Sequence, residues 1–210
     1  MPSLDLALNT TLLAQAFVTV LVIMDPLGNI PIFLTLTRNR SVQERRHAAL
    51  QSVGVAAGVI LVFAIFGQQL LTLLGISLEA LQIAGGLLLG LIALELLAGG
   101  GHDEPSQVAH GNIAFVPLGT PLLAGPGAIA ATMLYMQRAD GFGGALSVVI
   151  ALLGALSVSY VVMRYSHVIG RLLRENGINL VTRVMGLLAA AIGVQLVASG
   201  VAAWVIGGVS

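Results

Sequence analysis

The chain has 210 residues, of which 57% are hydrophobic and 9% charged, with a mean hydropathy of +0.99. A soluble domain carries about a quarter charged residues to keep its surface wet, so a water-soluble globule is excluded and the solvent for most of this chain is a lipid bilayer. Net charge is zero, every basic residue is Arg, and there is no Cys, which leaves no basic tract for nucleic acid and no disulfide or thiol chemistry.

A lipid-spanning helix takes about 20 apolar residues, and all its backbone amides must be paired internally. Apolar runs and breakers predict about six such spans and an all-α membrane fold. Met1–Thr11 carries Asp5 but no Lys or Arg, so it lacks the positive start of a cleaved signal. The first span, 12–36, is therefore expected to be retained. Inside it stands Met24-Asp25-Pro26-Leu27-Gly28-Asn29-Ile30-Pro31. Proline removes a backbone donor and clashes with the preceding turn, so this stretch cannot be continuous helix. The order Asp25-Pro26 suggests an N-cap followed by Pro at the first helical position. Asp25 is an intramembrane carboxylate and so a functional candidate by default, with helix capping as its plainer role. Gly28 and Asn29 are candidate lining.

The polar loop Arg38–His47 separates this span from the second, 48–72. Gly75-Ile76-Ser77-Leu78 precedes the third, 79–98, in which Gln82 reads as interhelical glue. Glu95 reads either as a carrier of a coupling proton or as an interfacial side chain. A Gly-, His- and acid-rich linker, 99–112, divides the chain into halves 1–101 and 112–210. The fourth span, 113–136, opens on Pro117-Leu118-Gly119-Thr120-Pro121-Leu122-Leu123-Ala124-Gly125-Pro126-Gly127. This is a second break, with Gly125 at N-cap and Pro126 at the first helical position. Its unpaired amides and positive dipole end would face inward. Thr120 is candidate lining, and Gly127 lets a ligand approach the amides closely. The fifth and sixth spans fall at 144–163 and 181–207.

Eight arginines, at 38, 40, 45, 46, 164, 171, 174 and 183, fall in or beside loops 1–2 and 5–6; Arg138 alone lies on the other side. The positive-inside rule then puts both termini outside, in the periplasm. At a spacing of 100, Pro26 matches Pro126, Gly54 matches Gly154, Gly86 matches Gly186 and Gly100 matches Gly200. Gly75-Ile76-Ser77-Leu78 also echoes Gly177-Ile178-Asn179-Leu180. Small residues recur as Gly86-xxx-Gly90 and Gly186-xxx-Ala190, a pattern that lets helices approach closely in lipid. Three spans per half insert in opposite directions. The expected plan is thus a 3+3 inverted repeat with broken first and fourth helices, and matched breaks point to a transport site.

The two breaks differ, because Asp25 brings negative charge while Gly125 leaves its amides bare. A zwitterion would fit, its carboxylate on the amides after Gly125 and its ammonium near Asp25. His47, His102, His110 and His167 lie in or near loops without metal-ligand spacing, and no hydrolase or phosphate-binding motif occurs. The expectation is a non-enzymatic protein without metal or cofactor other than a coupling ion.

MDPLGNIPIFLTLT (24–37), GISLEALQIAGGLLLGLIALELL (75–97) and FVPLGTPLLAGPGAIAATM (115–133) resemble the MarC family of bacterial inner-membrane proteins, which includes small neutral amino acid transporters. The resemblance covers essentially the whole chain. It implies six transmembrane helices and transport of glycine, alanine and related amino acids. The leading expectation is a secondary transporter of small neutral amino acids across the bacterial inner membrane, driven by a proton or sodium gradient. The binding residues would be Asp25, Gly28, Asn29, Thr120, Gly125 and Gly127, with Asp25 and Glu95 as coupling candidates. Competing readings are an exporter of another small metabolite and a non-transporting membrane scaffold or regulator.

Overall fold

A computed structural model describes residues 8–98 and 123–207, apart from the side chains of Glu95, Arg174 and Glu175. The linker 99–112, Thr120 and the start of the expected fourth span lie outside the described residues. The described chain forms seven helices: α1 (Thr10–Met24), α2 (Ile30–Leu36), α3 (Val42–Leu74), α4 (Leu78–Ala98), α5 (Pro126–Gln137), α6 (Gly141–Arg164) and α7 (Ser166–Gly207). Among the described residues there is no strand.

Local chemistry accounts for the helix ends. Asn9 caps α1 by accepting the Leu12 amide at 3.0 Å. Ser41 and Glu44 form a reciprocal capping box that starts α3, satisfying two otherwise unpaired donors. Gly75 stops α3 at φ +67°, and the Ile76 amide then donates back to the Leu71 carbonyl at 2.9 Å. Arg45 donates to the carbonyls of Thr37 and Arg40, both at 3.1 Å, and of Arg38 at 3.2 Å. From the first turn of α3, this arginine thereby covers carbonyls at the end of α2, where a cation is favoured.

Helices α3, α4 and α6, and Asn176–Ile206 of α7, are long and apolar enough to cross a membrane; α1 is apolar but has only 15 residues. The expected first span is divided between α1 and the seven-residue α2. Two expectations are corrected. Asp25 is not the N-cap of the returning helix but the C-cap of α1, at φ +37°, and the helix restarts only at Ile30. The reason is Pro31. A helix begun at Pro26 would bury Pro31 in its interior, where it clashes with the carbonyl four residues back; a start at Ile30 keeps Pro31 in the first turn. Similarly, Gly177–Leu180 does not precede a helix as Gly75–Leu78 does. It lies within α7, which runs unbroken from Ser166, because Gly177 keeps helical dihedrals and no proline or positive φ stops the chain there.

Contacts fix the helix directions. Asn9 donates to Ser147, Gly154 faces Phe17, and the Ser159 hydroxyl lies 3.8 Å from the Met24 sulfur, so α1 and α6 run parallel. Thr19 bonds Tyr135, and Gly127 faces Ile23, so α1 and α5 run antiparallel. Helices α4 and α7 are antiparallel and very close. A Cβ on Gly86 would come within 2.6 Å of the Gly193 carbonyl oxygen, and one on Gly200 within 2.8 Å of Ile83. The buried core joins α1, α3, α5 and α6 around Ala16, Val20, Ala56, Ile60, Leu152 and Ala155. Its buried Ser52, Ser147 and Ser159 hydroxyls donate to carbonyls four residues back, whereas the buried Thr132 hydroxyl on α5 has no partner among the described residues. Outside, Leu73 is 82% exposed and Ile206 85%, an apolar surface suited to lipid.

Candidate functional site

The turn between α1 and α2 is built from its own polar groups. Left-handed backbone is costly for most residues but tolerated by Asp and Asn, whose short side chains bond locally. Asp25 takes that conformation, and its carboxylate accepts the Gly28 amide at 3.0 Å. The Asn29 side-chain amide donates to the Met24 carbonyl at 2.8 Å, covering the end of α1. The Asn29 backbone amide donates to the Asp25 carbonyl at 3.1 Å. Asp25 and Asn29 are both buried, and among the described residues Asp25 is the one acid so placed. At Gly28 a Cβ would overlap the Asp25 carboxylate, so any larger residue forces that side chain to move.

The second expected break forms as the sequence suggests at its end. Gly125, at φ −65° and ψ 164°, caps α5, and Pro126 follows in the first turn. Amides of that turn have no partner within the helix. The two breaks are neighbours through Ile23 and Gly127, since a Cβ on Gly127 would lie 3.5 Å from the Ile23 side chain. It would also lie 3.6 Å from Leu89 and 3.7 Å from the Gly85 carbonyl. On that side Gly127 meets packed protein rather than open space for a ligand. Asp25, Gly28 and Asn29 thus share one turn, and Gly125 and Gly127 share the helix start beside α1. Thr120 and the side chain of Glu95 lie outside the described residues.

An open-sided cavity of about 640 Å³, not expected from the sequence, lies between α1, α5 and α7. Gln15, Thr19, Tyr135, Arg138, Gln195 and Ser199 supply its polar lining. The Thr19 and Tyr135 hydroxyls are 2.9 Å apart, and the Gln195 amide donates to Ser199 at 3.1 Å. The Arg138 guanidinium lies 6.0 Å from the Tyr135 ring centre, within cation–π range. The signal was present as polar residues four apart, Gln15 with Thr19 and Gln195 with Ser199, each pair on one helical face.

A family model described as MarC family integral membrane protein matches residues 10–205. A UPF0056 membrane protein of Methanocaldococcus jannaschii is 38% identical over 192 residues, covering 89% of this chain and 94% of the relative. The UPF0056 inner membrane protein YhgN of Escherichia coli is 35% identical over 194 residues, covering 92% and 98%. YvbG, a UPF0056 membrane protein of Bacillus subtilis, is 30% identical, covering 90% and 93%. No solved structure matches the chain. Lipid-suited helices, the Asp25–Asn29 turn beside the Pro126 helix start, and similarity along nearly the full length lead to one assignment: the chain belongs to the MarC family of integral membrane proteins.

Proposed function

We propose that this protein is a secondary transporter of small neutral amino acids of the glycine and alanine type, coupled to a proton or sodium gradient. It would cross an inner membrane six times as a 3+3 inverted repeat, with both termini in the periplasm. The inner membrane agrees with the name of the E. coli relative. In this reading α1 and α2 make one interrupted crossing, and α5 belongs to another.

Reciprocal contacts at the hundred-residue spacing support the repeat. Gly86 faces Gly193, Leu196 and Val197, while Gly186 faces Ala93, Leu96 and Leu97. Exchanging the halves turns one set into the other, as a twofold axis between α4 and α7 requires. Helix directions agree: Gly85 faces Ala130 and Gly127 faces Leu89, so α4 is antiparallel to α5, and α1, α4 and α6 run one way while α5 and α7 run the other. The Gly54 and Gly154 pair does not follow, since Gly154 faces Phe17 and Gly54 faces open space.

The observation that carries the transport reading is the contact of Ile23 with Gly127, which sets the acidic turn after α1 beside the start of α5, whose first amides have no partner within the helix. The solute carboxylate would take those amides, and its ammonium would approach Asp25. A scaffold reading draws support from one fact, that the Asp25 carboxylate and the Asn29 side chain already serve their own turn. Uptake of radiolabelled alanine into proteoliposomes separates the two. Accumulation driven by an imposed proton or sodium gradient is expected; uptake equal to protein-free liposomes under both gradients would remove the transporter reading.

A further inference from the structure

The cavity between α1, α5 and α7 lies apart from the Asp25 turn. Its polar residues sit on apolar helices: Gln15 and Thr19 on α1, Gln195 and Ser199 on the membrane-length part of α7. Gln15 and Gln195 are exposed. Amide side chains turned toward hydrocarbon are costly, so such a face is stable only against water or protein. A volume of about 640 Å³ is in the range of small-molecule sites and exceeds what a small amino acid needs, leaving room for water.

The lining chemistry is one-sided. Arg138 supplies a fixed positive charge with planar donors suited to a carboxylate. The Thr19 and Tyr135 hydroxyls and the Gln195 amide add neutral donors around it, and none of the lining residues is acidic. One turn further along α1 and α5 the space closes. There Ile23 meets Gly127, and Val22 is buried with Leu89, Ala93, Ala189 and Leu196. Asp25 lies six residues beyond Thr19, or about 9 Å along a helix, on the far side of that apolar layer.

We propose that this cavity is a water-filled vestibule that binds the carboxylate of a small solute at Arg138, above an apolar gate formed by Val22, Ile23 and Leu89. The proposal names the first docking point of the transport reading above and rests on that reading for its place on the solute's path. The carboxylate site itself can be tested separately. It would hold the solute before the gate opens toward the turn at Asp25.

The native chain has no Cys, so a single introduced thiol reports its own surroundings. Ser199→Cys, with Gln15→Cys as a second reporter, is compared with Leu153→Cys, whose native leucine is 48% exposed on apolar α6. In lipid nanodiscs a charged thiosulfonate reacts only with wet thiols. Both vestibule thiols are expected to react at least about ten-fold faster than Leu153→Cys. Alanine and lactate should each slow labelling several-fold, and adding Arg138→Gln should abolish that protection. Protection by lactate but not alanine would keep the carboxylate site and count against the amino acid reading. Labelling no faster than at Leu153→Cys would overturn the proposal. So would protection by neither solute, or protection that survives Arg138→Gln.

Discussion

Gly86→Val is expected to destroy most of the folded protein, with Gly186→Val behaving alike. At Gly86 a Cβ alone would sit 2.6 Å from a backbone carbonyl and 2.9 Å from Val197; at Gly186 it would sit 2.9 Å from the Leu96 Cβ. Backbone cannot rotate aside as a side chain can, so α4 and α7 must separate. Overpacking costs about 1–3 kcal/mol where neighbours can yield, and more is expected where they cannot. In lipid this loss is not offset by an apolar solvent effect, because helix association there rests on packing itself. Native stability of about 5–15 kcal/mol leaves little reserve. Gly90→Ala is the control, since nothing lies within 4 Å of its Cβ position; it should match or slightly exceed wild-type stability. Size-exclusion profiles and melting temperatures in detergent check this. Wild-type melting for Gly86→Val would mean that α4 and α7 do not meet as described.

Asp25→Asn should separate the structural role of this residue from its transport role. An Asn side-chain oxygen can still accept the Gly28 amide, and Asn also tolerates left-handed backbone, so melting should shift little. The negative charge is lost. If Asp25 meets the solute ammonium or carries a coupling proton, a charge-assisted hydrogen bond worth about 1.5–3 kcal/mol disappears. That corresponds to roughly a ten- to hundred-fold loss of transport. Gly28→Ala should differ by affecting both properties, because its Cβ displaces the carboxylate and removes its bond to the Gly28 amide. Uptake rates set beside melting curves make the comparison. Wild-type uptake by Asp25→Asn would leave Asp25 as a turn residue only.

Much of this architecture was legible in the residues, and the failures have specific causes. The lipid environment followed from composition, and Gly86 and Gly186 were marked by their small-residue spacing. Gly125 and Pro126 were readable as a helix start because no later proline competes with them. At Asp25 the same rule misled: Pro31, five residues after Pro26, overrules it and moves the helix start to Ile30. The likeness of Gly177–Leu180 to Gly75–Leu78 is one of sequence alone, since only Gly75 takes positive φ. The Arg138 cavity escaped because its polar residues are spread over three helices and none forms a local motif. Their convergence depends on how α1, α5 and α7 pack, which periodicity within one helix does not encode.

Counterflow tests the transporter claim most directly, because it needs no knowledge of the coupling ion. Proteoliposomes preloaded with unlabelled alanine are diluted into tracer alanine with no ion gradient imposed. A carrier that presents one site alternately to the two sides must exchange solute, so the tracer should rise transiently above equilibrium and then decay. The overshoot should vanish in liposomes without protein and fall sharply with Asp25→Asn. Tracer entry indistinguishable from protein-free liposomes, with the protein inserted and folded, would contradict amino acid transport and favour a scaffold.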